Sequence, residues 1–204
     1  MRSLRFMPFA AVLVAVIIVG TSPLASAVAA SGSREQSAAD HFRSSERFVV
    51  DVAMDGRTWR NDDGSNPFYP AFSGVLSRGQ TFIVSGKIYR GFTLHEGGDF
   101  NGSGNPAGPE TPRSIGTWVC RGTFNLDIGQ IAAGEAPHVT STQVFTFESG
   151  HTIVSEGPEG GATVLRAIIG GTGRYRGAGG EVTETPLGVN TTDLFNVRFH
   201  FVVD

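Results

Sequence analysis

Cysteine is almost missing from the 204 residues: Cys120 stands alone. No disulfide can form within the chain, so a disulfide scaffold is excluded and stability has to come from packing. Charge is scarce as well, with Asp, Glu, Lys and Arg making up only 17% of the residues. No basic cluster is interleaved with aromatics, and the formal net charge is −3. Both facts exclude nucleic acid as a partner, and with it a polybasic membrane patch. Beyond the first 30 residues no apolar stretch is long enough to cross a bilayer as a helix. Also missing are a helical apolar stripe in any window of a dozen residues, an internal repeat of a propeller or solenoid, and the Gly-x-Ser-x-Gly elbow of a hydrolase.

What remains is 28 Gly, 10 Pro and 10% aromatic residues, a mixture that suits a turn-rich β protein. At the N-terminus, Arg2 and Arg5 precede an apolar run from Met7 to Gly20, followed by small residues at Ala25-Ser26-Ala27. This reads as a signal peptide over residues 1–30, cleaved after Ala27 or Ala30, since a spanning helix needs roughly 20 apolar residues. The expected mature protein is secreted or periplasmic, carries a net charge of −5 and has no membrane association after cleavage. Residues 31–47 are small, polar or charged, a flexible lead to a domain over 48–204.

Within that domain, short apolar runs are broken by Gly, Pro, Asn and Asp. Strands are expected at 47–54, 80–84, 86–89, 115–127, 139–147, 152–155, 162–169, 180–185 and 196–203. The third-quarter strands show their faces clearly: Trp118, Cys120, Phe124 and Leu126 alternate with Thr117, Arg121, Thr123 and Asn125. Gln143, Phe145 and Phe147 share one phase, and Val197, Phe199, Phe201 and Val203 another. The fold class is all-β, an eight-stranded antiparallel up-and-down barrel, whose closure removes exposed edges.

The densest signal is Ile168-Ile-Gly-Gly-Thr-Gly-Arg-Tyr-Arg-Gly-Ala-Gly-Gly-Glu-Val182. Gly171, Gly173 and Gly177 lack the Gly-x-Gly-x-x-Gly spacing, and no helix follows to hold phosphate. The segment reads instead as strand, tight turn carrying Arg174 and Tyr175, and strand. With the closing Phe201-Val-Val-Asp204, Ser85-Gly-Lys-Ile-Tyr89 and Ile115-Gly-Thr-Trp-Val-Cys-Arg-Gly-Thr123, it resembles the signature of the allene oxide cyclase and dirigent protein superfamily, particularly its bacterial secreted members. The resemblance implies a calycin-type barrel with a largely apolar cavity, assembled as a homo-oligomer such as a trimer or dimer. Members guide cyclisation or coupling of reactive small molecules without a redox cofactor. The polar catalytic residues of neither plant branch match positions in this chain.

Two function classes follow. One is a barrel that binds a small hydrophobic molecule, and biases a cyclisation or coupling by fixing one conformer and excluding water. Trp118, Phe124, Phe145, Phe147 and Phe199 would shape that pocket, with Tyr89 or Gln143 supplying an orienting hydrogen bond. The other is a non-catalytic barrel with a filled interior that acts through its outer surface. Cys120 is expected to be a small buried hydrophobe.

No metal or cofactor is expected: His41, His95, His138, His151 and His200 show no ligand spacing. His95 and Glu96, adjacent in sequence, would point to opposite sides of a strand. Asp99 to Glu110 has oxygen-bearing residues at EF-hand spacing, but Pro106, Pro109 and Pro112 forbid the exiting helix, leaving a non-EF calcium loop or a plain turn-rich loop. Asn101-Gly-Ser103 and Asn190-Thr-Thr192 fit the glycosylation sequon.

Overall fold

A computed structural model describes residues 45–69, 76–95, 112–160 and 162–204. The signal peptide, most of the lead, the Asp99–Glu110 loop, His41, Glu96 and the Asn101 sequon lie outside the described residues. Among the described residues nine strands are formed: β1 (Glu46–Met54), β2 (Arg60–Asn61), β3 (Thr81–Arg90), β4 (Gly116–Phe124), β5 (Val139–Phe147), β6 (Thr152–Glu159), β7 (Val164–Thr172), β8 (Gly180–Val189) and β9 (Phe195–Val203). All neighbours pair antiparallel in the order β1-β9-β8-β7-β6-β5-β4-β3-β2. β1 also pairs with β3, from Val50↔Arg90 to Met54↔Gly86, so eight strands close into an up-and-down barrel and the two-residue β2 is an appendage on β3.

Side-chain alternation sorts the residues of each strand. On β4, Trp118, Cys120, Gly122 and Phe124 point into the lumen, while Thr117, Val119 and Arg121 face out. On β9 the inward set is Val197, Phe199, Phe201 and Val203, and on β1 it includes Val50, Val52 and Met54. These residues form one core, whose burial drives closure at about 25 cal/mol per Å² of apolar surface.

The runs at 80–84 and 86–89 are one strand, because Ser85 and Gly86 continue the ladder to Val119 and Trp118. Gly86 has no Cβ for a packing reason: one would sit 2.5 Å from the Ala53 carbonyl oxygen across the seam with β1. β6 and β8 run further than the sequence pattern indicated, to Glu159 and Val189, and β1 starts at Glu46 within the expected lead. The stretch after Phe124 leaves the sheet and forms a one-turn helix, α1 (Ile128–Ala132), where the Asp127 N–H donates to Gln130 Oε1 at 3.1 Å. The glycine-rich run is β7, a 3₁₀ turn over Gly173–Tyr175, and the start of β8, as its composition suggested.

Candidate ligand-binding cavity

One end of the lumen is filled. Phe48 stacks on Phe201 at 4.8 Å, Phe48 also meets Phe147 and Tyr175 at 6.2 and 6.1 Å, and Phe145 packs edge-on against Phe199 and Phe201, both at 5.0 Å. These aromatic contacts pack that end of the lumen. The opposite end holds a cavity of about 320 Å³, within the usual range for small-molecule sites. Trp59, Phe68, Phe82, Trp118 and Phe124 form its aromatic side, and Met54, Leu76, Val84, Leu194 and Val197 add aliphatic surface. His138, Glu159 and Glu184 are its titratable members.

The side contributed by β5 to β8 is polar, and Arg166 organises it. Alternation along β7 turns Arg166 and Ile168 inward and leaves Leu165 and Ile169 about half exposed. The Arg166 side chain is fully buried, so its guanidinium needs acceptors for every N–H. Nε donates to Ser155 Oγ (3.4 Å); Nη1 to the carbonyls of Gly157 (3.2 Å) and Pro158 (2.8 Å) and to Glu159 Oε1 (3.4 Å); Nη2 to the Ser141 carbonyl (3.0 Å) and Oγ (2.9 Å). Gly157, at φ +156°, leaves space for the stem, since a Cβ would lie 3.2 Å from Arg166 Cα, Cβ and Cγ.

Glu159 Oε1 is the hub of the cluster. Besides Arg166 it accepts from Ser141 Oγ, from Gln143 Nε2 at 2.6 Å and from the Cys120 thiol at 3.3 Å. Gln143 Nε2 also donates to Glu184 Oε2 at 2.9 Å, and Arg166 Nε lies 3.7 Å from the same oxygen. Burial and then the negative charge of Glu159 push Glu184 up to about 8, against the opposing pull of Arg166 and Gln143. The protonated form of Glu184 is thereby favoured. Burial, reinforced by Glu159, pushes the Cys120 thiol well up, so the lone cysteine is no nucleophile. Trp118 Nε1 and Gln143 Oε1 are buried without a hydrogen-bond partner.

Of the residues proposed from sequence, Trp118 and Phe124 line the cavity and Gln143 sits in its polar cluster. Phe145 and Phe199 pack in the core beyond, and Phe147 belongs to the filled end. Tyr89 points to the other side of the wall: it is out of phase with Phe82, Val84 and Ile88, and packs with Ala53, Leu94 and Leu187 in a small outer core. These four residues do not line the cavity. That outer core is anchored by Asp51, which accepts from the Thr93 and Leu94 N–H groups (2.7 and 2.8 Å) and from Arg198. The His95 carbonyl accepts from Asn196 in the same region.

Arg166, Glu184 and Glu159 were missed. The signal was available for two of them: Arg166 is two residues from Ile168, and Glu184 two from Val182, each in the inward phase. The lumen is accordingly less apolar than expected. Among the described residues, no group of three or more His, Cys, Asp or Glu is placed to hold a metal ion. Asn190 is buried, its Nδ2 donating to the Met54 carbonyl (2.9 Å) and Asn196 Oδ1 (3.2 Å), so its sequon serves the fold. A larger groove of about 590 Å³ crosses the outer face beside Arg60, Thr81, Arg121, Thr140 and Glu156. It is open to solvent and contains neither Trp118 Nε1 nor Gln143 Oε1, which favours the lumen as the site.

No protein-family model matches the sequence, and no curated protein does. Solved structures match. The pterocarpan synthase dirigent protein GePTS1 has a TM-score of 0.50 at 16% identity, over 78% of this chain and 83% of its own. A second such protein, PsPTS1, has 0.50 at 13%, over 79% and 94%. The fold is the allene oxide cyclase and dirigent-like barrel. A pyocyanin demethylase also aligns, over 78% of this chain and 100% of its own, with a TM-score of 0.47 and 18% identity. At such identities the likeness is one of fold, so what this dirigent-like barrel binds has to be argued from its own cavity.

Proposed function

We propose that this barrel is a secreted or periplasmic small-molecule-binding protein, which holds a hydrophobic molecule in one conformation and so directs its cyclisation or stereoselective coupling without a redox cofactor. One observation carries the reading: a cavity of about 320 Å³ is walled by aromatic rings, among them Trp118, whose buried indole N–H has no acceptor. A packed interior would not leave such a donor unpaired, since burying it unmet costs about 1–3 kcal/mol. The ligand's apolar body lies against Trp59, Phe82 and Phe124, and its polar atoms meet Trp118 and the carboxylates. Should a reaction follow, its proton moves at Glu184, whose protonated form is favoured, or at Glu159.

The alternative, a filled barrel acting through its outer surface, is disfavoured by the cavity. Assembly into a trimer or dimer remains part of the proposal, carried by the resemblance. The test is saturable binding of a lipophilic fluorescent probe to the purified domain, weakened roughly tenfold or more by Trp118→Ala. Lack of saturation refutes the reading. Mass spectrometry of small molecules that co-purify with the native protein would then name the ligand.

A further inference from the structure

Resting on that reading, the hydrogen-bond inventory of the polar wall restricts what the ligand's head group can be. Donors there are used up: every N–H of Arg166 has an acceptor, both amide hydrogens of Gln143 go to Glu159 and Glu184, and the Ser141 hydroxyl and Cys120 thiol go to Glu159 Oε1. Acceptors are left over. Glu159 Oε2 and Glu184 Oε1 receive no hydrogen bond, and Gln143 Oε1 is buried without one. A proton on Glu184 sits on Oε1 and turns that acceptor into a donor, one donor against the two acceptors that remain. No lysine or arginine lines the cavity among the described residues; His138 is the one basic side chain there. The facing wall of Trp59, Phe68, Phe82, Trp118 and Phe124 is aromatic, and aromatic rings attract a cation over their faces.

We propose that the cavity is a receptor for a lipophilic amine in its protonated form, the ammonium donating to Glu159 Oε2 and, as the Glu184 proton leaves to solvent, to Glu184 Oε1, with its apolar body against the aromatic wall, and that it disfavours molecules with a carboxylate head. An oxygen substituent on the same body would accept from Trp118 Nε1. The anion is disfavoured because Arg166, the cation of the cluster, has no N–H to spare, so an incoming carboxylate would lie against Glu159 with only the neutral donors of Trp118 and Glu184 to meet it.

Three probes with one apolar body test this near neutral pH: naphthylmethylamine, naphthylmethanol and naphthoate, each titrated against the quenching of tryptophan fluorescence. The amine should bind roughly tenfold tighter than the alcohol and about a hundredfold tighter than the carboxylate. Glu159→Gln should weaken the amine more than the alcohol and so narrow the gap between them; if that variant does not fold, the order measured on the unaltered protein decides. Naphthoate equal to or tighter than the amine overturns the inference and leaves the cavity reading standing. Binding of none of the three overturns both.

Discussion

Replacing Glu184 by Gln should flatten the pH dependence of stability over the range where the unaltered barrel loses stability most steeply. An unfolded glutamate takes its proton near 4.5, and burial beside Glu159 raises the folded value to about 8. Below about pH 4.5 both states hold the proton and pH has no leverage on this group. Between the two values the native state binds one proton more than the unfolded state, so stability falls as pH rises, by about 1.4 kcal/mol per pH unit from this residue. Above about pH 8 both states are ionised and the contribution levels off. Glutamine keeps the shape and a donor, and cannot ionise. The assay is urea unfolding at several values between about pH 5 and pH 8, with m checked for constancy. The unaltered protein should lose a few kcal/mol across the range and Glu184→Gln much less. Parallel curves for the two proteins would refute the assignment of a native-state proton to Glu184.

Arg166→Met should destabilise the barrel by about 3–5 kcal/mol, read as a fall in urea midpoint, because it strands Glu159 and Glu184 in the lumen without their cation. Lysine at 166 should rescue little of this, since three donors on a point charge cannot replace a fork that reaches the Ser141, Gly157 and Pro158 backbone together. Trp118→Phe removes the unpartnered N–H while keeping a ring; stability should change by no more than about 1 kcal/mol, and affinity for an oxygen-bearing probe should fall. Cys120, buried with its thiol pushed up, should react with a disulfide reagent only as the protein unfolds; rapid labelling of the native state would show that the lumen opens.

The barrel was legible because its strands obey a period of two over long stretches, and because turn residues separate them. Trp118 and Phe124 could be placed at the cavity for the same reason. Two kinds of information were not in the alternation. Phase says which side of the wall a residue occupies and nothing about depth along the barrel axis, so Phe145, Phe147 and Phe199 share the inward phase of Trp118 and yet pack in the core or the filled end. Tyr89 escaped for another reason: its neighbour Ile88 is the inward residue, and aromatic character alone does not reveal that the segment at 91–95 folds back to bury the outer face. Arg166 and Glu184 were hidden by an expectation of apolar content, although their positions two residues from Ile168 and Val182 marked them as inward. Glu159 lies at the far end of a strand whose continuation past Ser155 includes Gly157 and Pro158, residues that ordinarily signal a turn.

Closure through β1 ties the earliest-made strand to the latest. β1 is flanked by β3 on one side and β9 on the other, with Glu46 opposite Val203. A chain that has emerged only as far as β8 can pair its seven barrel strands through six neighbour contacts, but it keeps two raw borders, one on β1 and one on β8, and a cavity side open to water until β9 arrives. Contacts of such wide sequence separation form slowly. The molecule is thus most vulnerable to sticking to its own kind in the interval before its final strand slots in, and any ligand has to wait for that same event.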